Sequence, residues 1–466
     1  MEKRIWPLLL FLFAAFATGL AFCTVWPQTL VLGGPDGMPD LSLPGFARRV
    51  LLWTVRGDAA ICHDSVLKML LPTLDWHETG LCVSVALEAA AAAVFMRQWG
   101  LPVPACCCGG LAFAFAGYNF TLFAAGHRGM FSMTPYAALS FALVERALRR
   151  PRVSSFALLA LCVVAGLGHQ PDVMALYGML LAAYVLFRLV SAPLRAPGGA
   201  RAWWRARRRG FACGAAAFAL TAAAAGIVPF RTLLSTALAG REKQLAEATA
   251  GETAKGEEEG RRAKWIFATN WSLPPEEALE FVAPGLHGLD SGNPRGPYWG
   301  RLGRTDGWEE TKAGFPNYRQ HSLYVGAIAC ALALFALVAA VPRPKDAGNP
   351  AARERRAAVF FFAAAGIVAL MLAVGRFAPF YRAFYALPMM DKIRAPVKFV
   401  HLFEFCVACL AAFGAARIVD PARSVGETAG AAAAAAAGLA LLLVSASLPK
   451  TLAPDALAAQ IGRAHV

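Results

Sequence analysis

The amino-acid sequence predicts an all-α polytopic membrane protein with about eleven transmembrane helices and large outer loops. Three observations lead there. Hydrophobic residues make up 58% of the chain and charged residues only 16%, which is more apolar surface than a soluble domain can bury. The mean hydropathy is +0.49, and the apolar residues gather in runs near the ~20 residues that cross a hydrocarbon core. The net charge of +15 falls mainly between those runs. That is the charge pattern of membrane topology, not of a nucleic-acid surface.

The spans are placed at Ile5–Trp26, Glu78–Gln98, Leu101–Ala124, Met130–Ala147, Val153–Gly168, Asp172–Val190, Phe211–Phe230, Ser322–Val341, Ala357–Gly375, Lys398–Ile418 and Thr428–Leu448. Ile5–Trp26 is long enough to span and is not followed by a convincing small-residue cleavage site, so it reads as a retained helix. The alanine-rich runs at 215–225 and 431–437 let helices approach closely in lipid. Residues 1–448 form one multi-helix membrane domain. Residues 449–460 read as the start of a truncated C-terminal region. Ile461–Val466 (IGRAHV) looks like a translated sequencing adapter; it is set aside, and the natural chain is expected to continue beyond Gln460.

Orientation follows from the basic turns. One holds Arg146, Arg149, Arg150 and Arg152. A second holds Arg195, Arg201, Arg205, Arg207, Arg208 and Arg209, and a third Arg343, Lys345, Arg353, Arg355 and Arg356. All three share a side if the N-terminus, with Lys3 and Arg4, begins there. Cations retained between spans mark the cytoplasmic side of an inner membrane. The loops at 27–77, 231–321 and 376–397 then face outward. His63, His77, His127, His169, His287, His321 and His401 all fall on that outer side, a sign that polar chemistry faces outward.

The segment Gly375–Lys398 carries Arg376, Arg382, Lys392, Arg394 and Lys398 against one acid, Asp391. Phe377, Phe380, Tyr381, Phe384 and Tyr385 are threaded through it. Pro379, Pro388 and Pro396 break regular helix and fix the backbone. Cations at helix ends often only snorkel to headgroups. A net-positive ledge on the outer side runs against the topology bias, and arginine binds phosphate strongly and with defined geometry. The ledge therefore reads either as a snorkelling rim or as an anion-binding surface.

The first outer loop opens with Asp36 and Asp40 among glycines and prolines, followed by Asp58, Asp64, Asp75, His77 and Glu78. A carboxylate there could take a proton from an attacking hydroxyl; each acid is also a turn former. In the second outer loop, WSLPPEE (Trp271–Glu277) brings Glu276 and Glu277, then FVAPGLHGLD and PYWG. Tryptophans interleaved with turn residues suggest an ordered lid or an interfacial anchor. Glu88 and Glu404 lie within spans, where a charge costs roughly 2.5–3.5 kcal/mol on insertion scales, so both should face the bundle interior. A hydrogen bond to Asn119 would satisfy such a residue. Glu404, one turn after His401, is the better functional candidate.

Eleven cysteines do not make a disulfide framework here, since most lie in apolar spans. Cys406 and Cys409 form a CxxC without a second ligand pair and read as packing residues. No metal site and no cofactor is indicated, although a divalent metal near the outer acids would be compatible. P-loop, dinucleotide, HExxH and GxSxG motifs are absent from the sequence.

The ledge GRFAPFYRAFYALPMMDKIRAPVKF resembles the segment that marks the YfhO family of bacterial membrane proteins, which look like distant members of the GT-C glycosyltransferase superfamily. WSLPPEEALEFVAPGLHG with PYWG is similar to that family's large-loop segment. AGHRGMFSMTPYAALSF, with His127, and GLGHQPDVMALYG, with His169, resemble its helix-end motifs. The resemblance implies an enzyme that uses a polyprenyl-phosphate-linked sugar. Asp40, or failing that Asp36, would be the base. Arg394 and Lys398, then Arg376, with Arg382 and Lys392, would hold the departing phosphate. His127, His169, Glu276, Glu277, His401 and Glu404 would support the site. The partners implied are the lipid-linked sugar, membrane lipids and an acceptor glycan, lipid or protein. Two rivals remain: a transporter or lipid flippase using Glu88 and Glu404, and a non-catalytic assembly factor.

Overall fold

The computed structural model describes residues 2–25, 78–124, 128–196, 198–253, 257–287, 300–303, 322–341, 350–388, 390–420 and short stretches between 426 and 443. Among these residues all regular structure is helical. Five helical segments are long and apolar enough to cross a membrane: Val103–Leu122, Pro171–Leu194, Gly199–Gly226, Pro350–Ala373 and Pro396–Ile418. Ile5–Thr18, Val153–His169 and Ala327–Ala339 are shorter apolar helices.

In chain order the helices are α1 (Glu2–Val25), α2 (Glu78–Gln98), α3 (Val103–Ala114), α4 (Gly117–Ala124), α5 (Arg128–Arg149), α6 (Val153–His169), α7 (Pro171–Leu194), α8 (Gly199–Thr253), α9 (Glu257–Thr269), α10 (Ala327–Ala339), α11 (Pro350–Ala373), α12 (Phe380–Tyr385) and α13 (Val400–Ile418). Short 3-10 turns cover Pro275–Phe281, Gly375–Phe377, Met390–Lys392 and Pro396–Phe399.

Polarity is inverted relative to a soluble protein. Leu12 and Phe16 of α1, Leu186 and Val190 of α7, and Leu334 of α10 are exposed, whereas Glu88, Glu145, Arg188 and Glu404 are buried. An apolar outer surface around a polar interior is the arrangement a lipid solvent demands. The chain is thus an α-helical membrane protein.

Helix α13 is the centre. It packs against α3, α10 and α11, and almost its whole length is buried. Phe405 is its hub: the rings of Phe95, Phe113, Phe141, Tyr177 and Phe362 surround it at centroid distances from 4.6 Å to 6.4 Å. Mostly edge-on or tilted, these contacts are the geometries aromatic quadrupoles favour.

Two helix boundaries differ from the expected ones. The span placed at Leu101–Ala124 is broken into α3 and α4. The Gly117 N–H leaves the helix to donate to the Tyr324 carbonyl (2.7 Å). Thr121 Oγ1 then donates to the Ser322 carbonyl and accepts from the Ser322 N–H, both at 2.8 Å. For the same reason the span expected from Ser322 becomes helical only at Ala327, because 322–326 runs extended beside α4. Helix α8 runs unbroken for 55 residues, about 80 Å at ~1.5 Å per residue, with its apolar span ending at Gly226 and its remainder entering the charged segment after Arg231. The expected span Thr428–Leu448 and the loop 27–77 lie wholly or largely outside the described residues.

Small residues set the closest approaches. A Cβ on Gly414 of α13 would run into the Leu332 carbonyl of α10, and a backbone oxygen cannot rotate away. Gly414→Val should therefore push α10 and α13 apart and destabilise the bundle by about 1–3 kcal/mol. A lowered detergent melting temperature would report this; an unchanged one would mean that the helices do not meet at Gly414.

Candidate functional site

One end of the bundle is closed by non-helical backbone. The 270–274 segment and the ledge after α11 bind each other through main-chain hydrogen bonds. Leu273 N–H donates to the Ala373 carbonyl (2.9 Å), Ala395 N–H to the Ala268 carbonyl (3.1 Å) and Val397 N–H to the Trp271 carbonyl (3.0 Å). Ser272 Oγ accepts from Arg376 N–H (3.0 Å) and donates to the Thr269 carbonyl (2.5 Å). Trp271 (φ 65°) and Ala395 (φ 68°) adopt left-handed backbone, which persists in a non-glycine residue only when its surroundings over-determine it. Gly375 (φ 56°) is tightly held too: a Cβ there would strike Ser272 Oγ and the Pro396 ring. The two segments that the sequence singled out separately are thus one cap.

The cap carries a shelf of arginines laid on aromatic rings. Arg382 lies over Trp265 (5.6 Å from guanidinium carbon to ring centre) and Arg394 over Phe267 (5.0 Å). Both rings belong to α9. Arg376 and Arg301 both lie over Phe377, at 5.3 and 4.8 Å. Rings within about 6 Å attract a cation and help hold it in place. Arginine pairs with a phosphate in the guanidinium plane; the Nε and Nη1 atoms of Arg376 are buried, so its side chain would have to turn outward to do so.

The acids of the second loop brace this shelf. Glu277, buried, accepts the backbone N–H groups of Arg301 (2.5 Å) and Leu302 (2.9 Å). Glu276 pairs with Arg301 (2.6 Å), which holds its carboxyl below the usual carboxylate range. Glu280 accepts from the His287 N–H (2.9 Å) and meets the His287 ring (3.1 Å). Burial disfavours the charged imidazole. The hydrogen bond to Glu280 and the charges of Glu280, Glu277 and Glu276 outweigh it, so the His287 pKa is raised above its ordinary 6.5.

Below the cap lie several buried polar residues. Lys398 does not join the shelf: only 7% exposed, it forms an ion pair with Asp172. Asp172 also accepts from Gln170 Nε2 (2.7 Å) and Val173 N–H (2.9 Å). One turn into α13, His401 is fully buried against the Tyr118 ring (4.7 Å), and its carbonyl accepts from Tyr177 Oη (3.0 Å). Neither ring nitrogen of His401 has a hydrogen-bond partner among the described residues. Glu404 accepts from the Tyr118 N–H (3.4 Å). Glu88 accepts from Asn119 Nδ2 (3.0 Å) and Thr134 Oγ1 (2.9 Å), the hydrogen bond to Asn119 that its sequence position suggested. His169 is buried and stacks on Tyr136 (5.4 Å).

Of the residues singled out from sequence, Arg376, Arg382, Arg394, Glu276 and Glu277 share the cap, while Lys398, His401 and Glu404 share the interior. His169 is at the α6 end. Asp36, Asp40, His127 and the Lys392 side chain lie outside the described residues. Two participants went unrecognised. Asp172 stands inside a quoted motif, and an acid in the first turn of an apolar helix was the available signal. Arg301 directly follows PYWG and had no signal beyond its charge. Among the described residues no group of three or more His, Cys, Asp or Glu side chains could hold a metal ion. Comparison with family models, curated proteins and solved structures finds no match to this chain.

Breaking a buried ion pair strands its surviving charge. Lys398→Met should cost about 3–5 kcal/mol, and the double variant Asp172→Leu/Lys398→Met should recover much of that loss; melting of the detergent-solubilised variants gives the coupling, and an unaffected single variant would refute the pair. His287 gives a pH signature. Its raised folded pKa makes its stabilising contribution complete below about 6.5, the unfolded value, and lost as pH climbs through the folded value. Hydrogen-exchange protection of 275–287 should fall as pH rises above about 6.5, and Glu280→Gln should flatten that change.

Proposed function

We propose that this chain is a GT-C-like glycosyltransferase of about eleven spans in the cytoplasmic (inner) membrane, with its N-terminus in the cytoplasm. It transfers a sugar from a polyprenyl-phosphate-linked donor to a glycan, lipid or protein acceptor on the outer face. One observation carries the reading: Arg376, Arg382 and Arg394, with Arg301, are set on aromatic rings at one end of an apolar bundle. A lipid tail would lie along the exposed apolar helices while its phosphate meets the guanidinium edges. When the sugar leaves, charge grows on that phosphate, and donors already aimed at it stabilise the transition state without reorganising. Asp40, or failing that Asp36, takes the proton from the acceptor hydroxyl. Lys398 serves by pinning α7 to the ledge.

The sidedness has independent support. Glu354 contacts Arg188 (2.7 Å) and Arg149 (3.9 Å), which gathers the basic turns at the end away from the ledge. Retained cations favour the cytoplasm for that end and the outer face for the shelf.

The buried residues Glu88, His401 and Glu404 favour a second reading, a transporter or flippase with membrane-embedded relays. Vesicles holding the full chain separate the two when supplied with labelled polyprenyl-phosphate glucose or polyprenyl-phosphate mannose. Sugar should be transferred, with Arg376→Gln, Arg394→Gln and Asp40→Asn each lowering kcat/KM by about a hundredfold, as the removal of one preorganised donor does. Movement of the donor across the bilayer without turnover would support the transporter, and turnover unaffected by any of the three variants would refute the site.

A further inference from the structure

The end of the bundle away from the shelf holds a cavity of about 390 Å³ between the ends of α10, α11 and α13 and the α2–α3 turn. Among the described residues its rim is basic: Arg355, Arg356 and Arg417 line it, with one acid, Asp420. Its inner wall is apolar and small-grained, with Ala336, Ala339, Ala340 and Phe413. Arg417 Nη1 donates to Asp420 Oδ2 (2.6 Å); among the described lining residues the arginines outnumber the acids. Arg355 is fixed by two carbonyls of the α2–α3 turn, with Nε donating to Trp99 (3.2 Å) and Nη2 to Gly100 (3.1 Å).

The neighbouring wall is rigid. Arg188 holds Glu145 through two bonds of 2.9 Å and Glu354 through one of 2.7 Å, and its guanidinium lies 4.6 Å above the Trp99 ring centre. Tyr184 Oη adds a bond to Glu145 (2.7 Å). This lock joins the ends of α2, α5, α7 and α11. Arginines that merely snorkel project from a convex rim. Here they converge on a concavity within the size range of small-ligand sites. Its walls are preorganised, which lowers the cost of binding.

We propose that this cavity binds the phosphate of an anionic phospholipid headgroup, with the first part of an acyl chain against the alanine wall. The chemistry is that of a phosphate anion beside an apolar surface. The apolar wall and the position at helix ends, where headgroups lie, favour a lipid source over free phosphate. This site is separate from the shelf and stands whether or not the chain transfers sugar.

The full chain in neutral detergent is titrated with phosphatidylglycerol, with phosphatidylcholine, and separately with inorganic phosphate, reading the melting temperature. Phosphatidylglycerol should raise the melting temperature; phosphatidylcholine and inorganic phosphate should not. Arg356→Gln/Arg417→Gln should weaken the phosphatidylglycerol response at least about tenfold, as the loss of two charge-assisted contacts requires. Arg353→Gln, on the same helix but off the lining, should respond like the parent. Ala339→Trp fills the cavity without changing charge and should abolish the response, which keeps the test decisive should the double variant fail to fold. The proposal fails if phosphatidylcholine stabilises equally, if inorganic phosphate reproduces the effect, or if both the double variant and Ala339→Trp respond like the parent.

Discussion

A buried polar side chain in a helix bundle needs a partner there, an opposite charge or a neutral hydrogen bond, and the charged pairs among these organise the protein. Asp172 and Lys398 satisfy this need at one end. Arg188, Glu145 and Glu354 satisfy it at the other. Each set joins elements distant in sequence, α7 to the ledge in the first case and α5, α7 and α11 in the second. Removing one member would leave an uncompensated buried charge, whereas the assembled set holds the helices in one register. The aromatic cluster around Phe405 fills the space between the two polar sets.

The same constraint explains the cap. Irregular backbone at the end of a membrane bundle is tolerated only where its N–H and C=O groups are paired within the protein. The ledge and the 270–274 segment do this for each other, and their left-handed residues show that the pairing dictates the backbone. A rigid platform results, on which arginines hold fixed positions over rings. Glu276 and Glu277 set the fourth arginine, Arg301, beside the others. A site of this kind recognises anions through geometry as well as charge.

The two ends thus use arginine differently. On the cap the guanidinium groups rest on aromatic faces. At the far end they line a concavity walled by alanine. Both arrangements suit a phosphate at a membrane boundary. They differ in what lies beside it: aromatic edges and outer-loop acids in one case, a small apolar pocket in the other.

Much of the helical plan was legible in the chain, because an apolar run near ~20 residues has few fates other than a span. Glu78–Gln98 and the helices ending at Ala373 and Ile418 show this. The ledge was legible because prolines and clustered cations announce non-helical basic backbone. The break at Gly117 and the late start of α10 were not, since both depend on partners remote in sequence. The roles of the cations were hidden in the same way. Lys398 and Arg394 look equivalent along the chain, four residues apart. Only tertiary packing turns one inward to Asp172 and lays the other on Phe267, because a side chain's environment is set by what the fold brings against it and not by its neighbours in the chain.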